Sequence, residues 1–247
     1  MATPIALVGS GEYTAAMRET DARLIETLGG PSAARVALLP TASGREPGSP
    51  ARWNAKGLAH FQALGVSDIR PSGIIDPPTA HDPAQVELLR GANFFYFSGG
   101  DPQQIIESMD GSPAWDVIAG ALREGAVVAG CSAGAMALGA FTISVRRVEA
   151  TGELHWVPAL GFVRCAITFP HYDRMRGFVS AAVWQRIHAE LPAGMVGLGI
   201  DEDTALVRLD SSPTWQVMGH QTVTAMGGAY GRGQVFGAGE TITLPEG

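Results

Sequence analysis

The chain has 247 residues, of which 46% are hydrophobic and 17% charged, and its formal net charge at pH 7 is −7. This apolar content is enough to build a sizeable core, which excludes a disordered chain. Because the balance is acidic, Lys and Arg form no run, and no apolar stretch reaches the roughly 18 residues that span a bilayer, we expect neither a nucleic-acid partner nor a membrane partner.

In the first half of the chain, short apolar runs alternate with helix-like segments. Strands are predicted, in chain order, at residues 5–9, 35–40, 66–75, 94–97 and 126–129. Helices are predicted between and after them at residues 20–28, 53–64, 83–90, 102–109, 115–122 and 133–140. Buried strands that alternate with helices are typical of an α/β fold, in which a mostly parallel sheet is covered by helices on both faces.

Beyond residue 141 the pattern changes to shorter strands separated by turn-like sequences. Strands are predicted at residues 143–147, 164–168, 205–209, 215–218, 222–226 and 235–238, and a helix interrupts them at 176–190. This pattern indicates an antiparallel C-terminal extension of the sheet. Since neither a repeat nor a long linker divides the chain, we expect one domain over residues 1–247.

The segment Gly130-Cys131-Ser132-Ala133-Gly134 fits the G-x-S-x-G nucleophile elbow and stands between a predicted strand and a predicted helix. A serine at such a sharp turn adopts a strained backbone conformation, which requires neighbours with almost no side chain. The context predicts Ser132 as a catalytic nucleophile. Two alternatives are a turn that only packs the helix on the sheet, and Cys131 as the nucleophile, although buried free cysteine commonly acts as a small hydrophobe.

A serine nucleophile needs a base, and the base needs a partner that orients it. The sequence has six histidines, of which His171 follows an apolar strand, at the end where α/β sheets place their chemistry. A chain order of serine, acid and histidine limits the acid to Glu149 or Glu153. We predict Glu149, because it closes a strand-like segment, whereas Glu153 follows a glycine in an apparent turn. The alternative for Glu149 is an ion pair with a neighbouring arginine.

The backbone N–H groups of Ala133 and Gly100 are the predicted oxyanion hole. Ala133 begins the helix after the elbow, where N–H groups have no partner within the helix and the helix dipole is positive. Gly100 belongs to Ser98-Gly99-Gly100-Asp101, which ends the strand that we expect beside the elbow strand. Both groups would stabilise the negative charge that develops on a substrate oxygen. The alternative for Gly100 is an ordinary glycine-rich turn.

Taken together, these motifs resemble the family of serine peptidases that contains aspartyl dipeptidase (dipeptidase E) and cyanophycinase. The resemblance covers most of the chain and rests on residues 9–11, 95–101, 129–135, the segment around His171 and residues 199–206. It implies a class I glutamine-amidotransferase-like α/β sandwich, a Ser–His–acid triad and cleavage of peptide bonds next to aspartate. Ser132 and His171 match the family's motif positions directly, and Glu149 matches approximately.

The same resemblance points to residues that bind the substrate. Arg174 and Arg176 are candidates to hold a substrate carboxylate through paired N–H donors, and Gln103 and Tyr172 are further candidates. The alternative for both arginines is a solvated position at the start of the following helix. Cyanophycinase-like members carry Asp-Gln before the histidine, where this chain has Phe169-Pro170. Short peptides are therefore favoured over cyanophycin as the substrate.

We therefore expect a serine peptidase that hydrolyses short peptides next to aspartate. One alternative is a cyanophycinase-like peptidase or another serine amidase or esterase on the same scaffold. Another is a non-catalytic binding protein with an amidotransferase-like fold.

We expect no cofactor and no metal. The acidic run Asp201-Glu202-Asp203 lacks the loop motif or paired histidines of a metal site and is predicted to form a turn. Two cysteines are too few for a disulfide scaffold, and the start of the chain lacks the basic flank of a signal peptide, so we expect a cytoplasmic protein. The sequence leaves a homodimer open.

Overall fold

The computed structural model describes residues 3–143, 148 and 150–245. Its strands, in chain order, are β1 (Ile5–Val8), β2 (Arg35–Leu39), β3 (Asp68–Pro71), β4 (Phe94–Phe97), β5 (Val127–Cys131), β6 (Phe141–Thr142), β7 (Val157–Pro158), β8 (Ala166–Pro170), β9 (Val196–Ile200), β10 (Thr204–Arg208), β11 (Thr214–Gly219), β12 (Thr222–Met226), β13 (Gln234–Gly237) and β14 (Thr241–Thr243).

The helices are α1 (Arg18–Thr27), α2 (Ser49–Ala63), α3 (Pro77–Ala80), α4 (Pro83–Leu89), α5 (Pro102–Met109), α6 (Pro113–Arg123), α7 (Ala133–Leu138), α8 (Tyr172–Phe178) and α9 (Ala181–Ala189). Helices α5 and α6 begin at capping side chains, because Asp101 accepts the N–H of Gln103 and Ser112 accepts that of Trp115. In both, proline occupies the first helical position, where its missing N–H costs nothing. In the described part of the chain, no helix has the length and apolar character needed to cross a membrane.

Eight strands form a large sheet in the order β14-β11-β10-β1-β5-β4-β2-β3. Strands β1, β5, β4, β2 and β3 run parallel to one another. Strands β10, β11 and β14 continue the sheet beyond β1 in antiparallel pairings. The predicted α/β fold, a mostly parallel sheet with an antiparallel C-terminal extension, is confirmed.

Alternate side chains of the parallel strands enter two cores, one on each face of the large sheet. In β1, Ile5 and Leu7 belong to a core that α4, α5, α6 and α7 cover, whereas Ala6 and Val8 belong to a core that α1 and α2 cover. This alternation is the two-residue period of a strand. Each buried Ile, Leu or Val side chain contributes about 1.5–3 kcal/mol to the free energy of unfolding. This packing holds the strand ends, and the loops that follow them, in place.

A second sheet has the order β13-β12-β9-β8. Strands β8 and β9 are parallel, and Pro170 at the end of β8 lies opposite Ile200 at the end of β9. The residues that follow these strands, His171 and Asp201, therefore leave the sheet at the same edge. The remaining strands, β6 and β7, pair with each other.

The structure differs from the sequence predictions in several elements. Helix α3 and strands β7, β9 and β14 were not predicted, and the strand predicted at 66–75 contracts to β3. The helix predicted at 176–190 is divided into α8 and α9, because Ser180 caps α9 by accepting the N–H of Val183. Residues 144–147 of the strand predicted at 143–147 lie outside the described residues.

Candidate active site

Ser132 stands at a sharp turn between strand β5 and helix α7. Its backbone has φ 51° and ψ −108°, a conformation that non-glycine residues rarely adopt. The Ser132 N–H donates to the carbonyl of Val8 at 2.9 Å, which ties the turn to the end of neighbouring strand β1. This geometry is that of the nucleophile elbow that the sequence predicts.

The elbow requires glycine on both sides of Ser132 because the backbone segments nearly touch. A Cβ on Gly130 would lie 2.5 Å from the carbonyl carbon of Gly134. A Cβ on Gly134 would lie 2.5 Å from the carbonyl oxygen of Phe97. Both separations are too short for real carbon atoms, and backbone atoms cannot move aside as a flexible side chain would.

We expect Gly134→Ala to lower the free energy of unfolding by about 1–3 kcal/mol, because the new methyl group collides with the Phe97 carbonyl. The matched control is Gly120→Ala in α6, where a Cβ would meet nothing closer than the end of Arg123 at 3.9 Å. That control should be stabilised by up to about 1 kcal/mol, since alanine favours helix over glycine. Urea unfolding of both variants measures the difference. Equal stability of the two variants would contradict this account of the elbow.

His171 occupies a second strand-to-helix turn, between β8 and α8. Its backbone also lies at positive φ, 137°, so both candidate catalytic residues hold unusual conformations at strand ends. The Nε2 atom of His171 lies 2.6 Å from the Oγ atom of Ser132, within hydrogen-bonding distance. The structure thus brings together the two residues that the sequence predicts as nucleophile and base.

The carboxylate at the other side of the imidazole belongs to Glu202. Its Oε1 atom lies 3.2 Å from Nδ1 of His171. The sequence favours Glu149 as the acid, and Glu149 lies outside the described residues. The second predicted acid, Glu153, is exposed, and its N–H donates to the hydroxyl of Thr151. Glu202 was not predicted as the acid because it lies beyond His171, outside the chain order of serine, acid and histidine.

Residues of helix α8 hold Glu202 beside His171. The Asp173 carboxylate accepts the N–H of Glu202 at 3.1 Å. The guanidinium of Arg174 lies 3.2 Å from Oε2 of Glu202 and 3.6 Å from the Asp173 carboxylate. Arg174, which the sequence predicts to bind a substrate carboxylate, contacts these two carboxylates of the chain, while 64% of its side chain is exposed.

The glycine-rich turn after strand β4 lies against the elbow. A Cβ on Gly99 would lie 3.3 Å from Cβ of Ser132. The next residue, Gly100, has φ +146°, and a Cβ there would lie 2.4 Å from the carbonyl oxygen of Ala42. Only glycine can occupy these two positions without displacing the backbone or Ser132. The absence of side chains lets this turn, which contains the predicted oxyanion donor Gly100, lie close to Ser132.

The three other residues predicted to bind the substrate are Gln103, Tyr172 and Arg176. The side-chain amide of Gln103 donates to Glu107 at 3.3 Å. The ring of Tyr172 packs on strand β9, where a Cβ on Gly199 would lie 2.4 Å from it, and it contacts Trp184. The side chain of Arg176 lies outside the described part of the structure.

The three acidic residues after β9, Asp201, Glu202 and Asp203, contact different partners. Asp201 accepts hydrogen bonds from the hydroxyl and the N–H of Thr222. Glu202 faces His171, and a carboxylate oxygen of Asp203 approaches Gly11. Across the described residues, no group of three or more His, Cys, Asp or Glu side chains is arranged to hold a metal ion.

Cys131, the alternative nucleophile, is fully buried beside the elbow. Its Sγ atom lies 3.0 Å from Oε2 of Glu12. Burial raises the pKa of the Cys131 thiol well above its usual range, and the neighbouring Glu12 carboxylate raises it further. A thiol that is buried and kept protonated is a poor nucleophile, which favours Ser132 over Cys131 as the candidate nucleophile of the elbow.

We expect Cys131 in the folded protein to resist Ellman's reagent at pH 8, because the thiolate is both inaccessible and disfavoured. The Cys165→Ala variant leaves Cys131 as the single thiol to be measured. The same variant unfolded in urea should react fully, which provides the reference. Rapid reaction of the folded variant, accompanied by loss of hydrolase activity, would instead indicate a thiol nucleophile.

Comparison with known proteins identifies the family of this chain. The model of peptidase family S51 matches residues 5–214. The crystal structure of a peptidase from an acI-B1 Actinobacterium has 31% identity and a TM-score of 0.85, and the match covers 98% of this chain and 97% of that one. A putative peptidase E protein from Listeria monocytogenes EGD-e shares the fold at 18% identity and a TM-score of 0.57, covering 84% of this chain and 95% of that one. No curated protein matches the sequence significantly. The family match and the similarity over nearly the whole chain show that this chain belongs to peptidase family S51 and is a serine peptidase.

Proposed function

We propose that Ser132, His171 and Glu202 form the catalytic triad of a peptidase that hydrolyses short peptides next to aspartate. The observation that carries the proposal is the continuous chain of contacts, 2.6 Å from Ser132 Oγ to His171 Nε2 and 3.2 Å from His171 Nδ1 to Glu202. This is the nucleophile, base and orienting group of a hydrolytic triad.

In this mechanism, Oγ of Ser132 attacks the carbonyl carbon of the scissile peptide while Nε2 of His171 takes the hydroxyl proton. The tetrahedral intermediate collapses to an acyl-enzyme, and His171 gives the proton to the departing amine. Water then attacks the acyl-enzyme with His171 again as base, and Ser132 is regenerated with release of the acid product. Glu202 accepts a hydrogen bond from Nδ1–H of His171, stays ionised, and stabilises the imidazolium that forms in each step.

The oxyanion of the tetrahedral intermediate requires backbone donors near Ser132. The N–H of Ala133, the residue after the nucleophile, is one donor of such an elbow. The N–H of Gly100 is the second, supported by the close approach of the Gly99–Gly100 turn to Ser132. Two donors held by the backbone need no reorganisation when the charge develops.

Two considerations support aspartate as the preferred residue. One is the resemblance to aspartyl dipeptidase in the motifs around Ser132 and His171. The other is Arg174, which lies next to the triad with most of its side chain exposed. A guanidinium has five N–H donors, so Arg174 can contact Glu202 and still present donors to an acidic substrate side chain.

The test is a substrate panel with purified protein. Asp-Leu is compared with Asn-Leu, which differs only in charge and hydrogen bonding, with Ala-Leu, with a β-linked Asp-Arg dipeptide and with p-nitrophenyl acetate. We expect kcat/KM for Asp-Leu to exceed that for Asn-Leu by about 100-fold or more. Cleavage of the β-linked dipeptide alone would favour a cyanophycinase-like enzyme, and ester turnover without peptide cleavage would favour another acyl transfer.

Covalent labelling tests the nucleophile independently of the substrate. A fluorophosphonate probe should modify the folded protein at Ser132, located by mass spectrometry of the labelled peptide. Folded protein without an adduct at Ser132, together with no turnover of any panel member, would overturn the proposed mechanism.

A further inference from the structure

Glu12 is a buried carboxylate next to the nucleophile that the triad does not use. Only 8% of the residue is exposed. Its Oε1 atom accepts the N–H of Gly99 at 2.8 Å, and its Oε2 atom accepts the thiol of Cys131 at 3.0 Å. A buried carboxylate is costly unless hydrogen bonds satisfy it, so these two contacts hold the side chain in one position.

The two contacts connect the carboxyl ends of three neighbouring strands. Glu12 follows β1, Cys131 ends β5, and Gly99 follows β4, and the sheet order places β5 between β1 and β4. The side chain of Glu12 therefore reaches across the end of the elbow strand to the turn on its other side. Through these two hydrogen bonds, Glu12 connects the loop after β1 to the turn after β4.

The position of Glu12 also determines which N–H groups of the glycine turn are available. A Cβ on Gly99 would lie 2.9 Å from Glu12 Oε1 and 3.3 Å from Ser132 Cβ, so carboxylate, turn and nucleophile meet at one point. The Gly99 N–H is occupied by Glu12. The next N–H, that of Gly100, is the one left to face an oxyanion.

We propose that Glu12 is a positioning residue for the peptidase reaction: it holds the Gly99 amide, and so aims the Gly100 N–H at the oxyanion of the intermediate bound to Ser132. This inference rests on the proposed function. In this role the length of the Glu12 side chain and its hydrogen-bond acceptor oxygen matter, whereas its negative charge does not.

Two conservative substitutions separate the effect of the length of the Glu12 side chain from the effect of its charge. Glu12→Gln keeps the length of the side chain and a carbonyl oxygen for the Gly99 N–H, while its amide can face the Cys131 sulfur, a weak acceptor. Glu12→Asp keeps the charge and is one methylene too short to hold both partners. Glu19→Asp, the same substitution at an exposed position of α1, controls for the exchange itself.

We expect Glu12→Asp to lower kcat by about 10- to 100-fold, somewhat less than the loss of an oxyanion donor, with KM changed little. Glu12→Gln should retain most of the kcat of the unaltered protein. If the negative charge of Glu12 were what mattered, Glu12→Gln would lose activity and Glu12→Asp would keep it. Wild-type kcat in a folded Glu12→Asp variant, or equal losses in both variants, would overturn the proposal. Ser132→Ala, measured in parallel, separates this failure from failure of the triad, because an active Ser132→Ala refutes the triad itself.

The wild-type protein offers a test that does not depend on how any variant folds. The amide proton of Gly99, assigned by NMR, should exchange slowly with solvent because it donates to a buried carboxylate. The Gly100 amide should exchange faster and become protected when a boronic acid occupies Ser132. Fast exchange at Gly99 in the folded enzyme would contradict the role of Glu12.

Discussion

Replacing Ser132 with alanine is expected to reduce kcat by about 10⁴- to 10⁶-fold while KM for the best dipeptide changes little. The reason is that the substitution removes the atom that forms the acyl-enzyme and leaves the surrounding backbone intact. Residual hydrolysis would come from the oxyanion donors acting on a bound substrate. The measurement is steady-state hydrolysis of Asp-Leu by the variant, with a thermal unfolding curve to establish that it is folded.

Ser67→Ala is the control for this experiment, because Ser67 is exposed and lies in the segment before β3, away from the elbow. It should hydrolyse the dipeptide at the rate of the unaltered protein. Hydrolysis by folded Ser132→Ala at the unaltered rate would show that the hydroxyl at the elbow takes no part in the reaction.

Glu202→Gln is expected to reduce kcat by about 10³- to 10⁴-fold. The amide of glutamine can donate a hydrogen bond to Nδ1 of His171, which favours the tautomer that carries its proton on Nε2. That tautomer cannot accept the Ser132 proton. Because glutamine has the size of glutamate, the loss would reflect chemistry rather than packing, and unchanged thermal stability together with the kcat measurement would establish this.

The matched substitutions are Glu149→Gln and Glu153→Gln, at the two acids that the sequence pattern favoured. If Glu202 orients His171, both variants should retain kcat within about threefold of the unaltered protein. A large loss in Glu149→Gln with normal activity in Glu202→Gln would assign the orienting role to Glu149.

The fold and the strand-to-helix turn at Ser132 were predictable because local sequence determines them. Continuous apolar runs such as residues 94–97 and 126–129 indicate buried parallel strands, and small residues around Ser132 permit the sharp turn. The place of His171 at the end of a strand was predictable for a similar reason, since it directly follows an apolar run. In each case the signal lies within a few residues of the site that it predicts.

Glu202 and Glu12 depend on contacts that sequence spacing does not reveal. Glu202 reaches His171 only because β8 and β9 are parallel neighbours, with Pro170 opposite Ile200. The run at residues 196–200 contains two glycines and was not recognised as a strand, so the acidic residues after it were interpreted as an isolated turn. Recognising β9 would have placed Asp201 and Glu202 at a sheet edge, where chemistry is expected.

The candidate triad is divided between the two sheets: Ser132 follows a strand of the large one, whereas His171 and Glu202 follow adjacent strands of the small one. A slight slide of one sheet past the other would separate the hydroxyl from the imidazole and leave the imidazole–carboxylate pair intact. We therefore expect substitutions far from the substrate to lower kcat when they change the packing of the two sheets against each other. Inactive variants of that kind would keep a correctly oriented base facing a nucleophile that has moved out of range.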